Sequence, residues 1–389
     1  MHQLGVRLYE RYDRLGAVTD LELAVVLGRD TLALCTAGHP DRSMSLNNLS
    51  NFLLARYNKL WTTEDLSEAI ALSRDALALC PPRHPDRLKY LNNLAVCLSS
   101  QCDRNGEIED LNEATILHRD ALALCPPGHP HRSSCLSSLA MNLTNRYDQL
   151  GGIENLNEAI FLSRAALALC PPGQPDRSMS MTNLAAGLSA RYNQLGKMED
   201  LNDAIILAQD ALALCPQGHP HRPTPLGTLA THLSTRYNKL GGMEDLNDAI
   251  TLTRDALVLY PLGHPYHSAS LNNLGTYLAA RYNQLGAIED LNEATILARD
   301  SLEDQVVQSR PISLNNLNNL AATLTTRYKQ LGKMEDINEA IILARDALAL
   351  CPLGHPGRSM CLDNLSHCLS IRYDQFQVKE DLDEATFLC

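Results

Sequence analysis

A cysteine followed four residues later by a histidine is the feature of this sequence that most resembles a chemical motif. A closed zinc site needs about four such ligands, with donor atoms roughly 2.0–2.3 Å from the ion, whereas equivalent positions on packed helices lie roughly 8–10 Å apart. The element also varies, because Gln174 replaces the histidine in one copy and Tyr260 replaces the cysteine in another. We therefore predict a small buried cysteine and a turn histidine, with no metal and no cofactor. The complete copies are Cys35 with His39, Cys80 with His84, Cys125 with His129, Cys215 with His219, and Cys351 with His355.

Nucleophilic catalysis has no recognisable motif here. The sequence contains no Gly-x-Ser-x-Gly, no His-Glu-x-x-His and no phosphate-binding glycine-rich loop. His118, His232 and His367 stand outside the recurring element, so a Cys–His dyad assembled from distant parts of the chain stays open as an alternative. We favour packed or solvated histidines, and we predict no catalytic residue.

Composition narrows the classes of partner and compartment. The 389 residues carry a net charge of −12, which argues against nucleic acid because phosphate neutralisation needs clustered lysine and arginine. No apolar run is long enough to span a membrane, and the amino terminus does not resemble a signal peptide. The regular spacing of the cysteines argues against a disulfide framework, so we predict a reducing, cytoplasmic setting.

The whole sequence repeats with a step of 45 residues, which indicates a repeat array rather than several globular domains. Cysteine recurs at this step at Cys35, Cys80, Cys125, Cys170 and Cys215, and it returns at Cys351 after one inserted residue. An Arg-Tyr pair keeps the same step at Arg11, Arg56, Arg146, Arg191, Arg236 and Arg281, and then at Arg327 and Arg372.

Each unit predicts two helices, which we call A and B. Helix A runs from about Asp41 to Leu60 in the second unit, and a Leu-Gly pair such as Leu195-Gly196 closes it. Helix B begins at Glu64-Asp65, where acids suit the positive end of the helix dipole, and it ends before Pro81. Two irregular stretches stand out: Pro223 and Pro225 should delay one helix A, and residues 303–311 lack the turn consensus, which predicts a hinge or a packing fault. The nine helix pairs start near residues 1, 41, 86, 131, 176, 221, 266, 311 and 357.

These spacings resemble the tetratricopeptide repeat (TPR). Leu271 to Leu278 is similar to its helix A, with small Gly275 at the close-packing position, and Ala249, Ala256 and Pro261 have its helix B spacings. The unit is longer than the usual 34 residues or so. His84 to Asp86 and Leu91 to Ala95 resemble the kinesin light chain class of repeats. The sequence around them also resembles repeat arrays of basidiomycete fungi, which accompany a CHAT protease or an NTPase module. The resemblance implies one all-α, right-handed α-solenoid over residues 1–389, with partial repeats at both ends.

In such arrays one side of helix A lines a concave groove, and asparagine pairs occupy that side here. An amide both donates and accepts, so a row of amides can bind the backbone of an extended peptide. The equally open alternative is that these side chains bond to neighbouring helices. The candidate peptide-binding residues are Asn47, Asn48, Asn51, Asn92, Asn93, Asn183, Asn272, Asn273, Asn318, Asn319 and Asn364.

The arginines of the Arg-Tyr pair are the second set of candidates. We expect them to pair with the Glu-Asp at the start of the following helix, while a row of arginines facing a groove would instead contact acidic ligands. These possible acidic-ligand contacts are Arg56, Arg146, Arg191, Arg236, Arg281 and Arg327.

The sequence therefore predicts a non-catalytic scaffold that binds a protein or peptide partner in its groove. Three alternatives stay open: a ligand-sensing regulatory array of a larger protease or NTPase, a small-molecule enzyme with a pocket inside the superhelix, and self-association through uncapped ends.

Overall fold

The computed structural model describes residues 1–15, 17–60, 62–174, 177–219, 221–260, 265–307, 313–352 and 357–388. Eighteen α-helices follow one another in these residues, and the described chain contains no strand. The all-α solenoid is therefore confirmed. The chain divides into two compact units, residues 1–232 and 233–389, and the single domain over 1–389 stays a prediction.

Helices A and B alternate along the chain, and each helix pair lies where the repeat predicts it. The A helices are α1 His2–Leu15, α3 Arg42–Leu60, α5 Arg87–Asn105, α7 Arg132–Leu150, α9 Arg177–Leu195, α11 Pro223–Leu240, α13 Pro265–Leu285, α15 Leu314–Leu331 and α17 Arg358–Phe376. The B helices are α2 Val18–Leu34, α4 Thr63–Ala78, α6 Ile108–Ala123, α8 Ile153–Ala168, α10 Met198–Ala213, α12 Met243–Leu259, α14 Ile288–Val307, α16 Met334–Ala349 and α18 Lys379–Leu388.

The predicted apolar stripes form the core between helices. Leu46, Leu49 and Leu53 of α3 are buried, and so are Leu66 and Ala69 of α4. Each buried leucine contributes about 1.5–3 kcal/mol relative to an exposed one, which outweighs the small intrinsic preference of any single residue. The helices therefore depend on their neighbours for stability.

Glycine allows the closest helix approach and the sharpest turns. A Cβ added at Gly275 of α13 would lie 3.2 Å from the carbonyl oxygen of Ala294 in α14, so the predicted close-packing position is confirmed. Gly196 has a φ of 68° and Gly286 a φ of 70°, in the left-handed region that glycine adopts without strain. Each ends its helix A as predicted.

At the two irregular stretches, one helix begins and another ends at a different place from its counterparts. The A helix α11 begins at Pro223 itself, because proline is tolerated in a first helical turn. The B helix α14 continues to Val307, whereas most other B helices end before the turn, because no proline or glycine interrupts residues 303–307. His355 and residues 308–312 lie outside the described residues.

Candidate functional site

Asparagines of successive A helices bond to one another, and we call this set the amide ladder. The Nδ2 of Asn93 donates to Oδ1 of Asn47 at 2.7 Å. In residues 233–389 the same bond joins successive A helices at 3.1 Å, twice. The ladder consists of Asn47 with Asn93, Asn272 with Asn319, and Asn318 with Asn364.

The acceptors of the amide ladder are buried. Asn47 is 0% exposed, Asn318 is 3% exposed and Asn272 is 8% exposed. Asn92 also faces inward, since its Oδ1 lies 3.4 Å from Nδ1 of the buried His118. Three of the predicted groove residues, Asn47, Asn272 and Asn318, therefore offer a ligand almost no surface, and their place in the structure fits the alternative that asparagines stabilise the stack.

Three other candidate amides are half-buried and unpaired. Asn51, Asn183 and Asn273 make no side-chain hydrogen bond to any described residue. For Asn183 the cause is visible, because Ser137 stands where the ladder needs an asparagine acceptor. Asn48 is half-buried and weakly bonded, since its Oδ1 accepts a hydrogen bond from Nζ of Lys89 at 3.3 Å.

A cleft of about 260 Å³ lies beside one rung of the ladder, between α13 and α15. It exists because both helices carry small side chains there, among them Ala279, Ala280 and Ala322. Asn319 forms part of its wall and donates to Oγ1 of Thr276 at 3.2 Å. The other lining residues are Asn283, Leu291, Thr323 and Thr326, so the described lining has no titratable side chain.

Seven arginines of the row form ion pairs within their own repeats, which confirms the predicted pairing with the acids that start helix B. Arg327 donates through Nε at 2.8 Å and through Nη2 at 2.6 Å to the two oxygens of Asp336, which is buried. The hydrogen bonds that Arg191 donates lower the pKa of Asp200, and those that Arg327 donates to Asp336 raise the pKa of Arg327. The same two-bond pair joins Arg11 to Asp20, Arg56 to Asp65, Arg191 to Asp200, Arg236 to Asp245, Arg281 to Asp290 and Arg372 to Asp381.

Arg146 is the exception among the arginine candidates. Asn155 occupies the place of its aspartate, and the buried Nε of Arg146 has no hydrogen-bond partner among the described residues. The preceding repeat has the opposite defect, because Gln101 replaces the arginine there and Oδ2 of Asp110 is buried without a partner.

The recurring cysteines are buried, and the recurring histidines that the structure describes lie between a helix B and the next helix A, as predicted. Cys125 is fully buried and lies 3.4 Å from Cys135, Sγ to Sγ, and burial raises the pKa of Cys135 to about 12. The turn histidines accept a backbone hydrogen bond, as when Nδ1 of His39 accepts from the Asp41 amide at 3.1 Å. A thiol of such high pKa is a poor nucleophile at neutral pH.

Two histidines outside the recurring element are buried. His118 is 3% exposed and His232 is 4% exposed, and burial lowers the pKa of each to about 4. Neither ring nitrogen of His232 has a hydrogen-bond partner. Sequence reasoning identified these positions as outliers but gave no measure of their burial.

Solved structures with the same arrangement of helices are TPR proteins. The human IFIT1 dimer with PPP-AAAA has a TM-score of 0.58 and 14% identity, and the match covers 97% of this chain and 76% of that one. The Cut9–Hcn1 hetero-tetramer of the APC/C has a TM-score of 0.48 and 17% identity, covering 90% and 59%. Nearly identical TPR-like repeats of a Podosopora anserina protein assigned as a kinesin light chain have a TM-score of 0.41 and 21% identity, covering 56% and 98%. The fold is that of a TPR-like solenoid.

At these identities the likeness shows the fold alone. No protein-family model matches the sequence, and no curated protein matches it either. Among the described helices, none combines the length and the apolar character that crossing a membrane requires.

Proposed function

We propose that this protein is a non-catalytic interaction scaffold that binds an extended segment of a protein partner along its A helices. The observation that supports this most directly is the set of half-buried, unpaired amides Asn51, Asn183 and Asn273. A partly buried amide that bonds to nothing in the free protein gains the most from a ligand, because the hydrogen bonds are not exchanged for existing internal ones.

Four of the candidate asparagines support this proposal better than the others. Asn48, Asn51, Asn183 and Asn273 keep amide groups free or weakly bonded, while Asn47, Asn272 and Asn318 belong to the buried ladder. The cleft beside Asn319 offers room for an apolar side chain of the bound segment, since its walls are methyl groups and neutral amides. Repeat solenoids of this kind use such extended surfaces for binding.

The test is a comparison of two sets of asparagine substitutions. Twelve-residue peptides selected from a random display library on the unmodified protein serve as the probe. We expect the Asn183→Ala/Asn273→Ala variant to bind the selected peptides about thirtyfold more weakly, because each of the two lost amides removes hydrogen bonds worth roughly 1 kcal/mol, and about 1.4 kcal/mol is a tenfold change in Kd. Fluorescence anisotropy measures the Kd.

The matched control is Asn202→Ala, an exposed asparagine of the B helix α10, which should leave the Kd unchanged. Equal binding by the unmodified protein and the Asn183→Ala/Asn273→Ala variant, with circular dichroism unchanged, would remove the support for this surface.

The remaining parts of the proposal concern partner class and location. A cytoplasmic location and the exclusion of nucleic acid rest on the cysteine spacing and the net charge of −12. The PPP-AAAA molecule in the human IFIT1 structure belongs to that protein's structure and is not assigned to this chain. A regulatory role within a larger protease or NTPase, and self-association, stay predictions from the sequence.

A further inference from the structure

Arg146 is the one arginine of the row that lacks an aspartate at the position where the other arginines bind one. In the following repeat Arg191 donates through Nε at 2.8 Å and through Nη2 at 2.6 Å to the two oxygens of Asp200. At the same position one repeat earlier, Arg146 has Asn155 in place of the aspartate, and its Nε is buried without a partner. The guanidinium of Arg146 thus occupies the same position in its repeat as the paired arginines, but it has no carboxylate to bind.

The loop that leads to Asn155 also differs from its counterparts. The residue before helix B is Gly152, with a φ of 87°, whereas Lys197 has a φ of −77° and Lys333 a φ of −75°. Nδ2 of Asn155 donates to the carbonyl oxygen of Gly151 at 3.3 Å. Asn155 is therefore engaged by this loop, and its amide does not complete the bonds of Arg146.

An unpaired guanidinium with a buried N–H is unfavourable, because desolvation of a charged donor is offset only when an acceptor replaces the lost water. The acceptor that fits is known from the intact repeats: a planar carboxylate that takes two parallel N–H bonds. Arg146 as a whole is half-buried, and its Nη groups are not among the buried atoms that lack a partner, so an acceptor from outside the chain can reach the Nη side of the guanidinium although Nε itself is buried.

We propose that Arg146 is an anion-binding site that takes the carboxylate of an aspartate or glutamate in the bound protein segment. A carboxylate is favoured over a phosphate because the missing group is a carboxylate and because a net charge of −12 repels a polyanion. The identity of the donor as a protein segment rests on the proposed function, whereas the anion site itself does not.

The first experiment needs no partner. The arginine Nε–Hε resonances of the full chain are recorded during a titration with sodium acetate, against sodium chloride at equal ionic strength, and Arg146→Gln assigns the Arg146 signal. We expect the Arg146 signal alone to shift, with a Kd on the order of 10–100 mM for a single charge-assisted contact. No acetate-specific shift of that signal would overturn the proposal.

Two reciprocal substitutions then test whether the acetate response follows the arginine that lacks an aspartate. Asn155→Asp rebuilds the internal pair and should abolish the acetate response of Arg146. Asp200→Asn removes the internal partner of Arg191, and we expect it to create a new response at Arg191. A response at Arg146 that is as strong in Asn155→Asp as in the unmodified protein would contradict the proposal, provided that circular dichroism shows both variants folded.

The last arm distinguishes the sources of the anion. A Gly-Ser peptide with one central aspartate should shift Arg146, and its asparagine counterpart should not. A tetra-adenylate RNA that shifts Arg146 more strongly than acetate, at equal anion concentration, would overturn the assignment to an acidic protein segment. Loss of the Arg146 response leaves the Asn183→Ala/Asn273→Ala test unaffected, so the two proposals fail separately.

Discussion

At the scale of single residues, the role of an asparagine here depends on the residue one repeat earlier. Asn93 donates to Asn47 at 2.7 Å because an amide oxygen stands at the acceptor position. Asn183 has the same place in its repeat but faces Ser137 at the acceptor position, and it makes no hydrogen bond to a described residue. The same residue type is therefore paired with a neighbouring helix in one repeat and without a side-chain partner among the described residues in another.

The buried histidines predict a pH dependence of stability. The pKa of His118 is lowered by burial to about 4 in the folded chain, against about 6.5 unfolded. His118 is neutral in both states above pH 6.5, so the free energy of unfolding is highest there. As the pH falls toward 4, protonation of His118 in the unfolded chain lowers the free energy of unfolding by up to about 3 kcal/mol. We expect His118→Ser, which introduces the residue found at Ser73 and Ser163, to reduce the loss of unfolding free energy between pH 6.5 and 4. Urea unfolding at each pH measures it.

The control for this prediction is His131→Asn, at an exposed turn position. It should leave the acid dependence of the unfolding free energy unchanged. An identical dependence in His118→Ser and the unmodified protein would show that the imidazole of His118 is not responsible.

Residue roles were only partly predictable from the sequence, for a physical reason. The spacing placed asparagine on helix A and cysteine at the end of helix B, because periodicity depends on local geometry. It could not tell which amide is paired, since the partner of Asn93 is Asn47, 46 residues away. The buried, unpaired Nε of Arg146 likewise depends on packing that no motif encodes.

At the scale of helices, two kinds of ion pair stabilise the fold to different extents. The pair of Arg327 with Asp336 joins helix A to helix B within a repeat, with the aspartate side chain 4% exposed. The pair of Arg254 with Glu293 joins successive B helices, and both side chains are more than 40% exposed. A charge that loses its partner in the buried pair has no water to replace it, whereas the exposed pair is solvated either way.

The two ion pairs therefore predict unequal costs of substitution. Arg327→Gln should lower the free energy of unfolding by about 3 kcal/mol, because it leaves Asp336 buried and unpaired. Arg254→Gln should lower it by less than about 1 kcal/mol. Urea unfolding of the two variants measures both changes, and equal losses would show that burial of the aspartate does not matter.

Helix boundaries and the glycines that end the A helices were the most predictable features, whereas the arginine that caps helix B was not. Proline, glycine and first-turn acids act locally, so the start of α3 at Arg42 and its end at Leu60 follow from the sequence. The arginine at the start of helix A has a role that the sequence did not suggest. Nη1 of Arg87 donates to the carbonyl oxygen of Cys80 at 2.7 Å, which satisfies the end of the preceding helix B.

At the scale of the whole molecule, each unit is a stack in which a helix pair packs against the pairs before and after it. Bonds between repeats recur at fixed separations, 46 residues for Asn93 to Asn47 and 39 residues for Arg74 to Glu113. The stability of such an array is close to a sum over repeats and their interfaces. Removal of one complete repeat should therefore leave a folded array.

We predict that deletion of residues 132–176, one complete 45-residue step, yields a folded protein. The new junction places Asn183 one repeat after Asn92 and Arg177 after Cys125, so an amide rung and a carbonyl cap can form again. Circular dichroism per residue should match that of the unmodified protein, with cooperative thermal unfolding. Deletion of residues 132–171 breaks the register and should lose cooperativity; equal behaviour of the two deletions would contradict the prediction.

The fixed register of the amide ladder has a consequence for how such a gene changes over generations. Unequal recombination between two repeats removes or adds whole steps, and a product with matching rungs is folded when it first arises. The unpaired amide of Asn183 would acquire a new neighbour in the same event, whereas Arg146 and Asn155, which belong to one repeat, would be exchanged together. Changes in copy number thus alter which amides are paired without any point mutation.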